Sequence, residues 1–356
     1  MNDILLSVCI PTYNRSEKLM SRIQEVLVYT QSDIEIVVLD NCSTDDTEQK
    51  IKDIEDERVV YYRNKKCLPP PVNWIEVFKY AKGKYAYHLN DRDHLHGDLL
   101  NEFLNILRSN EDVACGYCKF GKKKKVAIYR GVEARKHIPF TGYHVSGILV
   151  NLEMLRNNFS IDSYQYRTIQ GQPNVEPHIT MLYDLATKGG YCSYSSPMSY
   201  NARQDEINCV SGVISGKNDN LKGRMWFEPP YVFDLFSEIV DKIEVDNALS
   251  KHEKGEVLTS GLECLLKSAT VVYGLFMLSD LHRTRYGVSR YYIHFWDLER
   301  IMLDLINQFR KRKETNSYRI NYFKVIWVAI LRILKFKVIY GKRIISNNIS
   351  YRKENE

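Results

Sequence analysis

The 356-residue sequence has no run of about 20 uninterrupted apolar residues, the length that spans a bilayer. It has no G-x-G-x-x-G and no Walker glycine loop, so dinucleotide and P-loop readings lose their main support. Its eight cysteines are not spaced as a small disulfide scaffold. Cys115 and Cys118 form a C-x-x-C, but no second pair stands at zinc spacing. That pair reads as two reduced thiols in or near a strand. The opening MNDILLSVCIPTYN lacks a basic stretch, and Pro11 cuts its apolar run. It does not read as a secretory signal, and the expected location is the cytoplasm. There is no internal repeat and no low-complexity segment. An apolar fraction of 44% with 12% aromatics describes a globular chain, not a disordered one.

Charge is present but unevenly spread. The net charge is +6, yet residues 307–356 hold thirteen Lys and Arg against three Glu. The rest of the chain is slightly acidic. A basic tail suggests an anionic partner. No recognised nucleic-acid module accompanies the charge, so nucleic acid is not the expected partner. Residues 322–347 mix apolar residues with Lys324, Arg332, Lys335 and Lys337. This pattern reads as a basic amphipathic helix in the interface of an anionic membrane, with the protein peripheral on its inner face. A helix packed on its own domain with lysines outward reads equally well.

Four strands and four helices alternate over the first 110 residues. ILLSVCIPTYN and IEIVVLD read as buried strands, and RVVYYRN and KYAYHLND as a third and a fourth strand. EKLMSRIQEVLVY, NCSTDDTEQKIKDI (with Ser43 and Asp45 as caps), VNWIEVFKYAKG and GDLLNEFLNILRSN read as helices. This alternation predicts an α/β fold with an open, mostly parallel sheet flanked by helices. Beyond it, KFGKKKKVAIYRG reads as a hairpin with a basic turn, HVSGILVN as a strand and VEPHITMLYDLATKGG as a helix. From about residue 229 the pattern is helical; Phe295, Leu298, Met302, Leu305 and Phe309 line one face.

In open parallel sheets ligands bind at the carboxyl ends of the strands. Those ends carry Pro11-Thr12-Tyr13-Asn14, Asp40-Asn41 and Asp91-Arg92-Asp93, so acids collect on one rim. Two aspartates one residue apart repel, and a positive partner is expected nearby: Arg92 or a bound cation. Paired hard oxygens favour Mg²⁺ or Mn²⁺ completed by substrate phosphates and water.

These residues resemble a known family. SVCIPTYNR (7–15), IVVLDNCSTDDT (36–47), GKYAYHLNDRDHL (83–95) and, more loosely, SGILVN (146–151) are similar to family 2 glycosyltransferases of the glycosyltransferase A fold. Asn90 stands where the family usually has a further acid, but the Asp-x-Asp core survives. The resemblance implies a catalytic domain over 1–225, with a nucleotide-sugar half (1–110) and an acceptor half (111–225); the helical pattern beyond it marks a further region over 226–356 that ends in the basic amphipathic tail. It implies that Pro11 and Tyr13 shape the base pocket, Tyr13 against a uracil ring, with Asn14 and Arg15 part of the nucleotide-sugar site. Asp40 would accept the ring N–H and Asn41 sit near the ribose. Asp91 would contact ribose or diphosphate, and Asp93 would hold Mn²⁺ or Mg²⁺.

An inverting transfer also needs a carboxylate that deprotonates the acceptor hydroxyl. The resemblance points to Glu176, just before Pro177, with Asp162 and Asp184 as alternatives. Arg203 could reach the diphosphate. The expected activity is metal-dependent inverting transfer from a nucleotide-sugar, a UDP-sugar or a related one, to a glycan or lipid-linked acceptor in bacterial surface polysaccharide synthesis. A nucleotidyltransferase and a non-catalytic nucleotide-sugar-binding protein are the competing readings. His94, His96 and His178 read as structural or solvated rather than ligating.

Overall fold

The structure is a computed structural model. It describes residues 4–120, 125–138, 145–165, 168–169, 172–173, 177–196, 199–201, 229–272, 293–294, 296–312 and 317–355. The chain divides into two compact units, with the main boundary between Glu206 and Ile207.

The first unit begins with β1 (Leu6–Thr12), α1 (Ser16–Leu27), β2 (Ile34–Asp40), α2 (Thr47–Lys52), β3 (Val59–Arg63), α3 (Pro70–Glu76) and β4 (Tyr85–His88). A short β5 (Asp93–Leu95) and α4 (Leu100–Arg108) follow. Then come β6 (Val113–Phe120), β7 (Lys125–Tyr129), α5 (Gly131–His137), β8 (Ile148–Asn151), α6 (Leu152–Asn158) and α7 (Asp162–Gln165). The last elements are β9 (Thr168–Ile169), β10 (Gln172–Pro173), α8 (Pro177–Ala186), β11 (Gly190–Ser196) and β12 (Ser199–Asn201).

The main sheet has the order β3-β2-β1-β4-β8-β6-β11-β7. β1, β2, β3 and β4 are mutually parallel, as are β6 and β11. β8 runs antiparallel to both β4 and β6, and β7 antiparallel to β11. β1 and β2 are buried along their whole length, which explains their continuous apolar sequence. Leu19, Ile23 and Val26 of α1 and Leu100, Phe103, Leu104 and Leu107 of α4 complete the core with Tyr85 and Tyr87. Such spacing places the apolar residues on one face of each helix.

The expected hairpin of β6 and β7 does not form. β11 lies between them, parallel to β6 and antiparallel to β7. Two strands close in sequence pair only if nothing better claims their edges, and the later strand takes both. The lysines of that turn, Lys122 to Lys124, lie outside the described residues. Cys115, Cys118 and Cys192 are buried on β6 and β11, and burial pushes all three thiols up, Cys192 to about 12. Zinc needs thiolates, so these groups make a poor metal site.

The second unit contains α9 (Pro229–Val245), α10 (Lys251–Val272), α11 (Asp297–Lys311) and α12 (Tyr322–Asn355). Leu298, Met302, Leu305 and Phe309 of α11 are buried together with Ile306, while Phe295 lies outside the described residues.

A consequence for thiol reactivity follows from this burial. Iodoacetamide at pH 8 should modify exposed Cys67 and leave Cys9, Cys115, Cys118 and Cys192 intact until the chain is unfolded, as read by peptide mass spectrometry.

Candidate active site

The strand order places a topological switch beside β1. The chain leaves β1 toward β2 and β3, then returns to β4 on the other side. Adjacent connections therefore diverge at the carboxyl ends of β1 and β4 and open a crevice there. The β1–β4 ladder ends at Cys9↔His88, and Pro11 stands beyond that last rung, where its missing N–H breaks no pairing on that side.

Asp91 lies in this crevice and is 2% exposed. The Thr12 hydroxyl donates to its Oδ2 at 2.8 Å, and the Arg15 guanidinium donates to its Oδ1 at 2.9 Å. The cation that compensates Asp91 is thus Arg15, from the β1–α1 turn; of the two partners expected from sequence, Arg92 or a bound cation, Arg92 is not the one. A buried carboxylate needs such a partner because removing it from water is costly.

Asp93 is equally buried. Asn90 Nδ2 donates to Asp93 Oδ2 at 3.3 Å, and the Ser146 hydroxyl donates to the same oxygen. Ser146 Oγ also accepts from the Asn90 N–H at 2.8 Å. One hydroxyl therefore fixes both ends of the 90–93 turn. Ser146 is held in turn by Gly147, whose φ is +99° and where a Cβ would meet the Cys118 carbonyl oxygen at 2.0 Å. Only glycine fits so close an approach.

The loops after β1, β2 and β3 are tied to one another. Asn14 has φ 52° and Cys42 φ 65°. The Asn14 N–H donates to Ser43 Oγ at 2.9 Å, and Asn14 Oδ1 accepts from the Thr44 N–H at 2.7 Å. Ser43 therefore serves the β1 loop instead of capping α2. Asp45 is not an N-cap either, since Asp46 and Arg15 hold those positions; from one residue before the α2 cap it accepts from the Thr47 N–H at 3.1 Å and from the Ser16 N–H at 3.2 Å, the first N–H of each helix. Asn41 reaches to the 64–68 loop, with Nδ2 donating to the Leu68 carbonyl at 2.8 Å and Oδ1 accepting from Asn64 Nδ2 at 2.9 Å.

Asp40 is fully buried. It accepts from the Ser43 N–H at 2.8 Å, the Tyr61 hydroxyl at 2.7 Å and Arg63 at 3.0 Å. Burial, then the bond to Asp40, pushes the Tyr61 hydroxyl well up, so it remains a donor. Tyr13 is 44% exposed at the mouth of the rim, consistent with a ring offered to a ligand.

The ribbon of β5 and β12 pairs Asn201 with Asp93 and Tyr200 with His94. Arg203 and Glu176 lie outside the described residues. Of the alternatives to Glu176, Asp184 accepts from the Tyr164 hydroxyl at 2.7 Å and Asp162 pairs with Lys79 at 2.6 Å. His94 stands between Glu25 and Arg22: Nδ1 is 2.9 Å from Glu25 Oε1 and Nε2 is 3.0 Å from Arg22. Arginine cannot accept, so Nε2 accepts and Nδ1 carries the proton. That ring is structural.

Among the described residues no three His, Cys, Asp or Glu groups are placed to enclose a metal. The donor set at the crevice is carboxylate oxygen, suited to Mg²⁺ or Mn²⁺ that shares its remaining positions with water and phosphate. It fits a metal held jointly with a diphosphate, not one caged by protein alone. Thr12 and Ser146 were not assigned roles from sequence; a hydroxyl carries no pattern of its own, and only the SG of SGILVN hinted at the second.

Residues 7–164 match the family model described as Glycosyl transferase family 2. Abequosyltransferase RfbV of Salmonella typhimurium is 34% identical over 115 residues, 31% of this chain and 34% of that protein. UDP-Glc:alpha-D-GlcNAc-diphosphoundecaprenol beta-1,3-glucosyltransferase WfaP of Escherichia coli is 32% identical over 90 residues, 25% of this chain and 36% of that protein. The match spans about a third of each relative. In fold, the chain is similar to S. aureus TarS 1-349, crystallised in complex with UDP-GlcNAc, with a TM-score of 0.53 and 13% identity over 98% of this chain and 92% of that one.

Removing the countercharge should be costly. Arg15→Ala should destabilise the first unit by about 2–3 kcal/mol, near the lower end for breaking a buried pair because Arg15 is partly exposed. Thr12→Val should cost about 1–2 kcal/mol. Urea unfolding checks both, and a larger loss for Thr12→Val would overturn this order.

Proposed function

We propose, starting from residues 7–164 as a segment of glycosyltransferase family 2, that the protein is a metal-dependent inverting glycosyltransferase. Its donor is a nucleotide-sugar, of UDP type, and its acceptor a hydroxyl of a glycan or lipid-linked sugar in bacterial surface polysaccharide synthesis. The observation that carries this reading is the meeting of Thr12, Arg15, Asp91, Asp93 and Ser146 at the switch point of the sheet. RfbV, an abequosyltransferase, and WfaP, a glucosyltransferase, support the transfer of a sugar, and WfaP, which acts on a diphosphoundecaprenol-linked sugar, the lipid-linked acceptor.

The uracil and ribose would lie over the rim formed by Pro11, Tyr13, Asn14, Asp40 and Asn41. Tyr13 offers a ring face to the base. Asp40 would have to accept the ring N–H in addition to its three present donors. Asn14 shapes the turn, and its left-handed backbone aims the adjoining residues. Arg15 neutralises Asp91, so a diphosphate nearby meets less negative charge than two bare aspartates would present. Asp93 is oriented by Ser146 and Asn90 and is the residue that would hold Mn²⁺ or Mg²⁺, with Asp91 beside it toward ribose or diphosphate. A divalent ion there supplies charge neutralisation of the departing nucleoside diphosphate.

Glu176 would take the proton from the acceptor hydroxyl as that oxygen forms its bond to the anomeric carbon and the diphosphate oxygen leaves. Its place one residue before Pro177, the first residue of α8, supports this role. Asp184 and Asp162 are engaged elsewhere, which favours Glu176. Arg203 stands two residues after Asn201, the partner of Asp93 in the ribbon, which supports a role for it at the diphosphate.

Two substitutions test the reading. Asp93→Asn should abolish most transfer and weaken Mn²⁺-dependent binding of UDP in calorimetry; unchanged activity at saturating metal would sink the metal assignment. Glu176→Gln should lower transfer by roughly 10²–10⁴-fold while leaving donor binding nearly intact. If Asp162→Asn or Asp184→Asn gives that pattern instead, the base lies elsewhere. Sugar transfer by the parent protein, against nucleotidyl transfer or binding alone, separates the three readings.

A further inference from the structure

Helix α12 carries two unlike apolar faces. Val325, Ala329, Phe336 and Ile344 are buried, and α12 packs on α10 and α11. Lys337 pairs with Glu299 and sits 4.0 Å from the Trp296 ring centroid; Asn348 exchanges two hydrogen bonds with the Ile293 backbone. This face is therefore anchored within the protein.

On the outer side Phe323, Trp327, Ile330, Leu334, Val338 and Ile345 are all exposed, Phe323 to 82% and Val338 to 87%. Their spacing of three, four and seven residues keeps them in one stripe along the helix. Lys335, Lys342 and Lys353 are exposed along one edge of that stripe. Lys324 on the same edge is paired with Glu263 at 2.6 Å. The helix carries eight Lys and Arg against one Glu between Tyr322 and Asn355. No described helix is long and apolar enough to cross a membrane.

We propose that the outer face of α12 is a docking surface for an anionic lipid membrane, on which the helix lies flat with the stripe in the acyl boundary and the lysine edge at the head groups. Apolar residues exposed in a continuous stripe leave water only if something covers them. The chemistry of the cover is set by the edge: lysines beside an apolar face match acidic head groups above acyl chains. Trp327 within the stripe suits that boundary, where a ring can be half apolar and half wet. A second copy of this chain would bring the same positive charge to the same face, which disfavours it. The sequence offered a membrane-bound helix and a packed helix as alternatives; the inner face of α12 is packed, and its outer face remains open to the other reading. The proposal rests on the second unit and stands apart from the sugar transfer.

The full chain should co-sediment with vesicles of phosphatidylcholine and phosphatidylglycerol, weakly with phosphatidylcholine alone, and less at high salt. Leu334→Glu with Val338→Glu should reduce binding to both vesicles more than tenfold, with an unchanged melting temperature. Lys335→Glu with Lys342→Glu should weaken binding to the anionic vesicles by about fivefold per cation and leave the neutral ones alone; exposed lysines keep this pair testable if the first fails to fold. UDP binding should be unaltered in every variant, so failure here is distinct from failure of the catalytic reading. An intact chain that stays in the supernatant, or variants that bind as well as the parent, would overturn the proposal. Self-association lost on Leu334→Glu with Val338→Glu, without vesicle binding, would assign the stripe to a second copy.

Discussion

The site depends on the buried carboxylate of Asp91 being neutralised from across the switch point. Thr12 and Arg15 belong to the end of β1 and the turn after it, while Asp91 follows β4. Their bonds join the two sides of the crevice that the strand order opens. An unpaired carboxylate there would repel Asp93 and draw in water. With Arg15 in place, the 90–93 turn can be folded tightly enough for Ser146 to hold both Asn90 and Asp93. Gly147 is the geometric condition for that hold, since its backbone approaches Cys118 too closely for any side chain.

The same logic extends to the rim. Asn14 and Cys42 both take left-handed backbone, which costs a non-glycine residue on the order of 1 kcal/mol or more. The cost is offset by bonds that left-handed turns make possible. Asn14 spans from its own loop to Ser43 and Thr44, and the Cys42 thiol donates to the Asn64 carbonyl at 3.0 Å. Three loops thus restrain one another through side chains. A rim built in this way can keep its shape without a bound ligand, which is the condition for pre-organised binding.

The sheet was legible where its strands are buried on both faces. β1, β2 and β4 are continuous apolar runs that end in Thr12, Asp40 and the Asp91–Asp93 turn, and the acids at those ends were found by that rule alone. What was not legible depends on partners distant in sequence. β7 goes to β11 and not to β6, because pairing is settled by sheet order, which local periodicity does not encode. Arg15 replaces Arg92 as the partner of Asp91 across 76 residues, where proximity along the chain is no guide. Thr12 and Ser146 are small hydroxyls whose importance lies in what they touch. α12 is a different case: its sequence held both an inward and an outward pattern, and only the packing on α10 and α11 separates them.

Asp91 and Asp93 are chemically unlike because of their surroundings. Asp91 faces a guanidinium and a hydroxyl, so its charge is met within the protein. Asp93 accepts from Asn90 and Ser146, two neutral donors that fix the direction of its carboxylate. Neutral donors of this kind fix the direction of a carboxylate. Asp91 thus ties the turn after β4 to the end of β1, while Asp93 ties the same turn to Ser146 before β8. This division accounts for their spacing: they must share one short turn to serve one site, yet they need different neighbours to serve it in different ways.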